Sequence, residues 1–522
     1  MAMKTQTASK MKIRQVKRAD PREVELKFRL PPGSRAILEA SRVLASVEAE
    51  QKHQITTYFD TPDNFLAKSG LTLRVRRGGD TRIQTVKSSA DGRSLASSRS
   101  EWEWPIGQDV PDLGPLDAVS ALAKIAKAID GRLKPVFVTD IRRTTRLLHL
   151  DENTLMEVAI DEGSIETGIK REPVSELELE LKGGNLGALY RLATELLALT
   201  PLWISPESKS SRGWHLRTGQ CAAAQSALTP ALKRRAPAAT GFHETLGGML
   251  GHLMANIAPT LRDNAEGLHQ MRLAIRGARA ALKLFGRHLD RAAAGRFDAA
   301  LQQIGGIFGA ARDWDVFCLE TLPAAMAEMP KLRLDEMKLA AEAQRQTANA
   351  AVADSIRGQE FTAMVLELAA WAEAGKRQPS SLGDAHLSKR LATLAPSLLD
   401  RVASKVKERG RRAGRLSAPQ RHGLRKALRK LSYGVDSLAG LYRPRAVKIY
   451  RGRCGDLLTI LGTANDAVVT RLLAAKLVAA DRPDLASPAS VLAGWSRRRG
   501  RKALKGLKGA LKALRAAPVF WS

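Results

Sequence analysis

Aromatic residues make up only 5% of this 522-residue chain. Platforms of stacked rings, which hold single-stranded nucleic acid, are therefore poorly supplied. Acidic residues are scarce relative to basic ones: 53 Asp and Glu stand against 84 Lys and Arg, a net charge of +31. Cysteine is almost missing. Cys221, Cys318 and Cys454 lie far apart, form neither a metal-spaced cluster nor a disulfide framework, and fit a reducing cytosol. No run of about 18 apolar residues occurs, so no transmembrane helix is expected. The basic N-terminus, MAMKTQTASKMKIRQVKRAD, lacks the apolar core of a secretory signal. A Walker-type G-x-x-x-x-G-K-[ST] sequence is also missing, so no P-loop is expected.

What is present is a strong positive field, which attracts polyanions: nucleic acid, an anionic membrane or polyphosphate. Its distribution is uneven. Residues 1–240 hold 37 basic and 29 acidic side chains, residues 241–400 hold 18 of each, and residues 401–522 hold 29 basic and 6 acidic. The excess in the last quarter points to a localised anion-binding surface rather than a generally cationic exterior.

The chain divides by pattern. Residues 20–215 alternate in period two, as in Glu23-Val24-Glu25-Leu26-Lys27-Phe28, Leu71-Thr72-Leu73-Arg74-Val75-Arg76, Glu101-Trp102-Glu103-Trp104 and Glu176-Leu177-Glu178-Leu179-Glu180-Leu181. Such alternation puts one set of side chains on each face of a strand. Gly78-Gly79-Asp80 and Ala90-Asp91-Gly92 punctuate the strands, and helical patches fall near 33–48, 116–130 and 185–199. Residues 216–240 read as a linker of small residues and prolines. Residues 241–515, rich in Ala, Leu, Arg and Lys with a period near 3.6, read as all-helical. This helical part repeats itself. His269-Gln-Met-Arg272 and Arg276 match His422-Gly-Leu-Arg425 and Arg429, and Phe308-Gly309-Ala-Ala-Arg312-Asp313 matches Leu461-Gly462-Thr-Ala-Asn465-Asp466, both at an offset of 153. Two matches in one register predict a duplicated bundle with a pseudo-twofold axis.

In the strand-rich part the charged residues form same-sign clusters on single faces. Carboxylates at alternate positions suit hard divalent cations such as Mg²⁺ or Mn²⁺, and Arg and Lys grip phosphate oxygens. With Val24, Leu26, Phe28, Leu73, Val75, Trp102, Trp104, Leu177 and Leu179 on the opposite faces, a closed antiparallel sheet would turn the charges into a lumen. Glu23-x-Glu25-x-Lys27 near the N-terminus resembles the signature of the triphosphate tunnel metalloenzymes, the CYTH superfamily. The resemblance continues in order through Tyr58-Phe59-Asp60-Thr61-Pro62-Asp63, Arg74, Arg76, Lys87, Glu101, Arg143, Asp161, the Glu-Leu-Glu run and Ser208-Lys209-Ser210. It implies an eight-stranded antiparallel tunnel with covering helices. It also implies metal-dependent hydrolysis of a triphosphate, with the bacterial inorganic triphosphatases the most similar branch. By the same resemblance Lys27, Arg74, Arg76, Lys87, Arg143 and Lys209 are the phosphate grips, and Glu23, Glu25, Glu176 and Glu178 the main metal ligands. Glu101 and Asp161 support a metal or orient water. Glu180 stands as an alternative to Glu176, and Glu103 to Glu101, because period two keeps each pair on one face.

In the helical part, His269, Arg272, Arg276, Arg279 and Lys283 fall at offsets 0, 3, 7, 10 and 14, within an arc of about 80° at 100° per residue. His422, Arg425 and Arg429 do the same, and i,i+4 acidic partners are nearly missing from 401–430. Two such lines facing one another predict a basic groove for an extended phosphate chain, with the histidines donating to phosphate or orienting the helix. Asp313 and Asp466 are expected to cap a helix or pair with arginine, and a basic C-terminal helix over 497–515, with Lys502, Lys505, Lys508 and Lys512, extends the cationic surface. The region resembles the CHAD family of conserved-histidine α-helical domains. That resemblance implies binding of inorganic polyphosphate and an association with bacterial polyphosphate granules. The low aromatic content and the lack of a recognisable reader motif argue against a specific nucleic-acid partner, and the cysteine usage fits a cytoplasmic location.

Overall fold

The computed structural model describes residues 22–89, 95–220, 223–411, 415–479 and 482–521. The basic N-terminal segment, the turn expected at Ala90-Asp91-Gly92 and Cys221 fall outside these residues.

The alternating segments form strands β1 (Arg22–Arg29), β2 (Glu50–Asp60), β3 (Leu71–Gly78), β4 (Thr81–Ser88), β5 (Ser97–Pro105), β6 (Lys134–Asp151), β7 (Thr154–Thr167) and β8 (Lys170–Gly183), with a two-residue β9 (Trp203–Ile204). Every neighbouring pair is antiparallel, in the order β5-β4-β3-β2-β6-β7-β8-β1, and β1 also pairs with β5, so eight strands close into a barrel. β9 adds to β1 outside the closed circuit. Closure leaves two apolar shells on the outside. Leu26, Phe28, Leu177 and Leu179 pack beneath helix α1 (Leu186–Leu199), whereas Leu73, Val75, Trp102 and Trp104 pack with short helices at Gly114–Asp117 and Ala123–Ile129. With the apolar faces covered, the opposite faces point into the lumen. Helix α2 (Lys209–Thr218), capped by the Ser208 side chain on Ser211 N–H, packs against β6 and β7. The approach is close: a Cβ on Gly213 would lie 2.3 Å from the Phe137 ring, so only glycine fits.

The remainder is helical: α3 (Ala238–Ala255), α4 (Ala265–Phe285), α5 (Arg291–Val316), α6 (Asp335–Arg357), α7 (Gln359–Arg377), α8 (Leu391–Arg409), α9 (Ala418–Leu438), α10 (Pro444–Ala479), α11 (Ala486–Leu504) and α12 (Leu507–Ala516), with shorter turns between. The repeat offset of 153 recurs in the element boundaries. α3 and α8 begin at 238 and 391, α4 and α9 run 265–285 and 418–438, and α5 and α10 begin at 291 and 444. The axis can be located. Pro237 and Arg390, themselves 153 apart, form an isolated antiparallel bridge. Ala238 N donates to Lys389 O and Leu391 N to Ala236 O, both at 2.8 Å, which is one contact made twice by repeat-mates.

α10, 36 residues long, is long and apolar enough by composition to cross a membrane, although no unbroken apolar run announces it. It packs along α9, α11 and α12. The segment between α2 and α3 has no regular structure over its described residues and is strapped to the bundle through Gln225 and Asn256. Barrel and bundle share one apolar core. Gln359 Nε2 donates to Leu197 O at 2.8 Å across that junction, and Ile204 N donates to Thr362 Oγ1 at 3.2 Å.

Candidate functional site

The lumen is a cavity of about 920 Å³ lined by side chains from all eight strands and by α2. Strand register sets its charge order. Lys27 on β1 stands opposite Glu178 on β8, and Asp161 on β7 stands opposite Glu176 on β8 and Arg143 on β6. Lys27 Nζ donates to Glu178 at 2.7 Å and lies 3.0 Å from Glu25. Arg143 forks onto Asp161 at 2.7 and 2.6 Å and reaches Glu178 at 2.5 Å. Lys209, in the first turn of α2, is 2.7 Å from Asp161 and 2.9 Å from both Glu176 and Glu178. Burial by itself would raise Glu178, but Lys209, Lys27 and Arg143 hold it well below the usual carboxylate range.

On the other side of the lumen Lys87 lies 3.0 Å from Glu23 and 2.8 Å from Glu101, and Arg74 lies 3.7 Å from Glu101. Charge here is not balanced. Burial, then Arg74 and Arg99, push Lys87 down to about 8. Arg76 lines the cavity and, among the described residues, has no carboxylate within ion-pair distance; Arg74, burial and Arg143 bring it down to about 10. Arg76 therefore lacks an anion, whereas Lys87 holds two carboxylates that burial and the neighbouring arginines outweigh. The reverse holds for Glu101 and Glu180, which burial raises above the usual range, with Glu23 adding to both. Glu157 adds to Glu180, and Lys182, 2.8 Å away, only partly offsets it. Strands β3 and β4 thus carry the lumen cations Arg74, Arg76 and Lys87, while the lumen carboxylates Glu180, Glu23 and Glu101 lie on β8, β1 and β5, and Lys87 and Arg99 pair with Glu23 where the two sets meet. Carboxylate oxygen is the donor chemistry that hard divalent cations require.

The bundle carries a second charged site where α4 and α9 meet. Burial, then Arg276 and Arg425, push Arg429 down to about 9, and Arg276 is itself lowered by burial with Arg272 nearby. The Arg276 guanidinium lies 5.7 Å over the Tyr433 ring. Burial and the surrounding arginines also lower His269 and His422 from their ordinary value.

The sequence pattern of the CYTH domain family matches residues 21–214 and that of the CHAD domain family matches residues 244–475. The chain joins a CYTH domain to a CHAD domain. An inorganic triphosphatase from Haemophilus influenzae is 31% identical over 202 residues, which are 38% of this chain and 56% of that protein. The chain thus spans just over half the length of this curated relative. Among solved structures, the CHAD domain from the plant Ricinus communis is similar at 27% identity and a TM-score of 0.49, covering 57% of this chain and 99% of that one. A putative adenylyl cyclase from Hippeastrum, described as having a dominant triphosphatase activity, is 20% identical with a TM-score of 0.28, covering 38% and 97%.

All the CYTH residues expected from the sequence converge on or just behind the lumen, but not in equal positions. Glu23, Lys27, Arg74, Arg76, Lys87, Glu101, Glu103, Arg143, Asp161, Glu178, Glu180 and Lys209 line it. Glu25 and Glu176 sit behind the lining, 3% and 1% exposed. Arg99 holds Glu25 at 2.6 Å, and Arg212 with Lys209 holds Glu176. Asp161, wholly buried, is saturated by Arg143 and Lys209. Of the two carboxylates left open, Glu180 rather than Glu176 faces the cavity. Arg99 and Arg212 were missed. Arg99 precedes Glu101 by two on a strand, and Arg212 follows Lys209 by three on a helix, so both periodicities placed them with residues already singled out.

In the CHAD domain the expected first line of cations is broken. Arg272 pairs with Asp313 at 3.2 Å, and Asp298 takes both Arg279 at 2.9 Å and Lys283. Asp298 lies on the facing helix α5, so no i,i+4 count within α4 could find it. Among the described residues, Arg276 and Arg429 have no carboxylate within ion-pair distance and face each other. Asp313 and Asp466 lie inside α5 and α10 rather than at caps; the one pairs with Arg272 and the other faces Arg425. Lys502, Lys505, Lys508 and Lys512 are exposed on α11, α12 and the turn between them. The two described cysteines, Cys318 and Cys454, are buried and unpaired.

Proposed function

We propose that the CYTH tunnel hydrolyses inorganic triphosphate to pyrophosphate and phosphate with Mg²⁺ or Mn²⁺, and that the CHAD domain binds inorganic polyphosphate. The observation that carries this reading is a closed lumen that sets cations on β3 and β4, Arg76 having no carboxylate in ion-pair reach among the described residues, beside lumen-facing carboxylates on β8, β1 and β5. A linear triphosphate supplies the anions, and a divalent ion on those carboxylates supplies the cation. When bound, the metal would neutralise phosphate oxygens and acidify water. Glu23, Glu180 and Glu101 are the lumen-facing candidates to hold it, with Glu178 behind its three cations and Glu25, Glu176 and Asp161 acting by orienting the grips. Arg76, Arg74, Lys87, Arg143, Lys27 and Lys209 would hold the triphosphate extended, which is most of what phosphoryl transfer asks of a protein. Water oxygen bonds to the terminal phosphorus as the bridging oxygen departs with pyrophosphate. Glu101, raised by burial, takes the proton, and a lumen cation stabilises the departing oxygen.

The test is phosphate release from inorganic triphosphate, ATP, thiamine triphosphate and long-chain polyphosphate, each with Mg²⁺, with Mn²⁺ and with chelator. Metal-dependent turnover that prefers triphosphate and vanishes in Glu23→Ala/Glu25→Ala supports the tunnel as the enzyme. No turnover on any substrate, with polyphosphate binding intact, replaces it with a second reading, a non-catalytic polyphosphate-granule protein. The uncompensated CHAD arginines favour that alternative independently of the tunnel. A cytoplasmic position at polyphosphate granules accompanies either reading, and a fluorescent fusion that stays diffuse in cells rich in granules would remove it. Competition between polyphosphate and DNA across salt concentrations separates phosphate-chain binding from nonspecific nucleic-acid binding.

A further inference from the structure

A third cluster of ligating side chains lies away from both charged sites. His288 sits in the turn between α4 and α5, and Asp384 and His386 in the connector between α7 and α8. The two segments are pinned together by an isolated antiparallel bridge, Leu289 to Gly383. Asp384 N donates to His288 O at 2.9 Å and Asp290 N to Leu382 O at 2.6 Å. A Cβ on Gly383 would lie 1.9 Å from His288 O, so this approach requires glycine. Backbone geometry therefore sets the three side chains beside each other.

His288 Nδ1 is 3.0 Å from one Asp384 oxygen, and His386 Nδ1 is 3.4 Å from the other. One ligand atom from each of the three residues lies within 4.8 Å of the other two. Ligands held about 2.0–2.1 Å from a tetrahedral ion are roughly 3.3 Å apart, the scale of both nitrogen–oxygen separations, each of which runs to a different Asp384 oxygen. Bringing one oxygen and both nitrogens onto a single ion asks for rotation of the Asp384 carboxylate and the His386 ring, which are 44% and 49% exposed. A capping role explains only part of this arrangement. Asp384 Oδ1 accepts from His386 N at 2.9 Å, as a cap should, but that bond needs neither imidazole. The bundle's symmetry does not demand the cluster either, since the repeat-mate of His288 is Leu441.

We propose that His288, Asp384 and His386 bind one divalent transition-metal ion of the Zn²⁺ class, with solvent completing the shell. Two imidazole nitrogens and one carboxylate favour Zn²⁺, Co²⁺ or Ni²⁺ over Mg²⁺, in contrast to the carboxylate oxygens of the tunnel. The bound ion clasps the α4–α5 turn of the first repeat to the connector that leads into the second.

Co²⁺ titration of the full chain tests this, because nitrogen-ligated Co²⁺ of low coordination number absorbs visible light far more strongly than an oxygen-ligated octahedral ion. One equivalent of strongly absorbing Co²⁺, displaced by Zn²⁺ and weakened at least about 10-fold in His386→Ala, is expected. Zn²⁺ should also raise the unfolding temperature of the native chain and not that of His386→Ala, while Mg²⁺-supported turnover stays equal in the two. His386 is exposed and its replacement leaves the bridge intact, so the test survives even if His288→Ala fails to fold. Identical Co²⁺ spectra and Zn²⁺ affinities in native protein and His386→Ala overturn the proposal.

Discussion

On the proposed function the CYTH tunnel and the CHAD arginine site, termed the groove, both meet phosphate, yet they handle their own charge in opposite ways. Strand register sets Lys27 against Glu178 and Arg143 against Asp161, and closing the barrel brings Lys87 to Glu23. A pseudo-twofold axis brings each residue towards its own copy, so Arg276 meets Arg429 and like charges face each other. The tunnel therefore stores opposed charges in fixed positions and discriminates by geometry. The groove stores repulsion, which on the proposed reading a polyanion relieves.

The comparison can be broken most sharply inside the tunnel. Glu23→Gln keeps the shape but removes a lumen carboxylate, and turnover of triphosphate should fall by about 10²–10³, the scale of losing one electrostatic catalytic group. Polyphosphate binding by the same variant should be unchanged. A smaller effect separates two tunnel arginines. Arg143→Ala takes one of the partners from Asp161 and Glu178, which keep Lys209 and, for Glu178, Lys27, and should cost about 1–3 kcal/mol in denaturant unfolding. Arg76→Ala strands no carboxylate, so stability should hold while KM for triphosphate rises about 10-fold or more. In the groove the sign reverses: Arg276→Ala/Arg429→Ala should weaken polyphosphate binding about 10-fold or more at low salt and flatten its salt dependence. The same variant should unfold at a slightly higher temperature, because a like-charge contact has been removed.

The smallest expected effect is a pH dependence of the groove. Burial and neighbouring arginines lower His269 and His422, so both are neutral at pH 7. A bound polyanion favours the protonated form. Affinity should thus rise as pH falls from 7.5 through the depressed histidine range, by about 2–5-fold. His269→Asn/His422→Asn should remove that rise. For folding the sign is opposite: unfolded histidine binds a proton at higher pH than the folded one. The two groups therefore cost stability as pH falls below about 6.5 and cost nothing above it.

Much of the site was legible because period two and period 3.6 are local rules. Glu23, Lys27, Arg74, Arg76, Glu178 and Glu180 could be put on lumen-facing rows from spacing alone, and the 153-residue repeat fixed which helices are equivalent. Arg99 and Arg212 obey the same rules but belong to no same-sign strand pair that would mark them in the sequence. Asp298 is different in kind. Its contact with Arg279 and Lys283 crosses from one helix to another, and no spacing within either helix reveals it.

By itself the sequence determined the two-domain order, the closed alternating sheet, the duplicated helical bundle and the identity of nearly every charged residue in the tunnel. These follow from local periodicity and from repetition and, for the eight-stranded tunnel and for Lys87, Arg143, Asp161 and Lys209, from the ordered resemblance to the CYTH family. Only the tertiary structure decided that Glu180 faces the lumen while Glu176 is sealed behind Lys209 and Arg212. It alone broke the expected cation line at Asp298, and it alone set His288 beside Asp384 and His386. Each depends on how far one segment stands from another remote in sequence, a distance set by packing and closure rather than by any local rule.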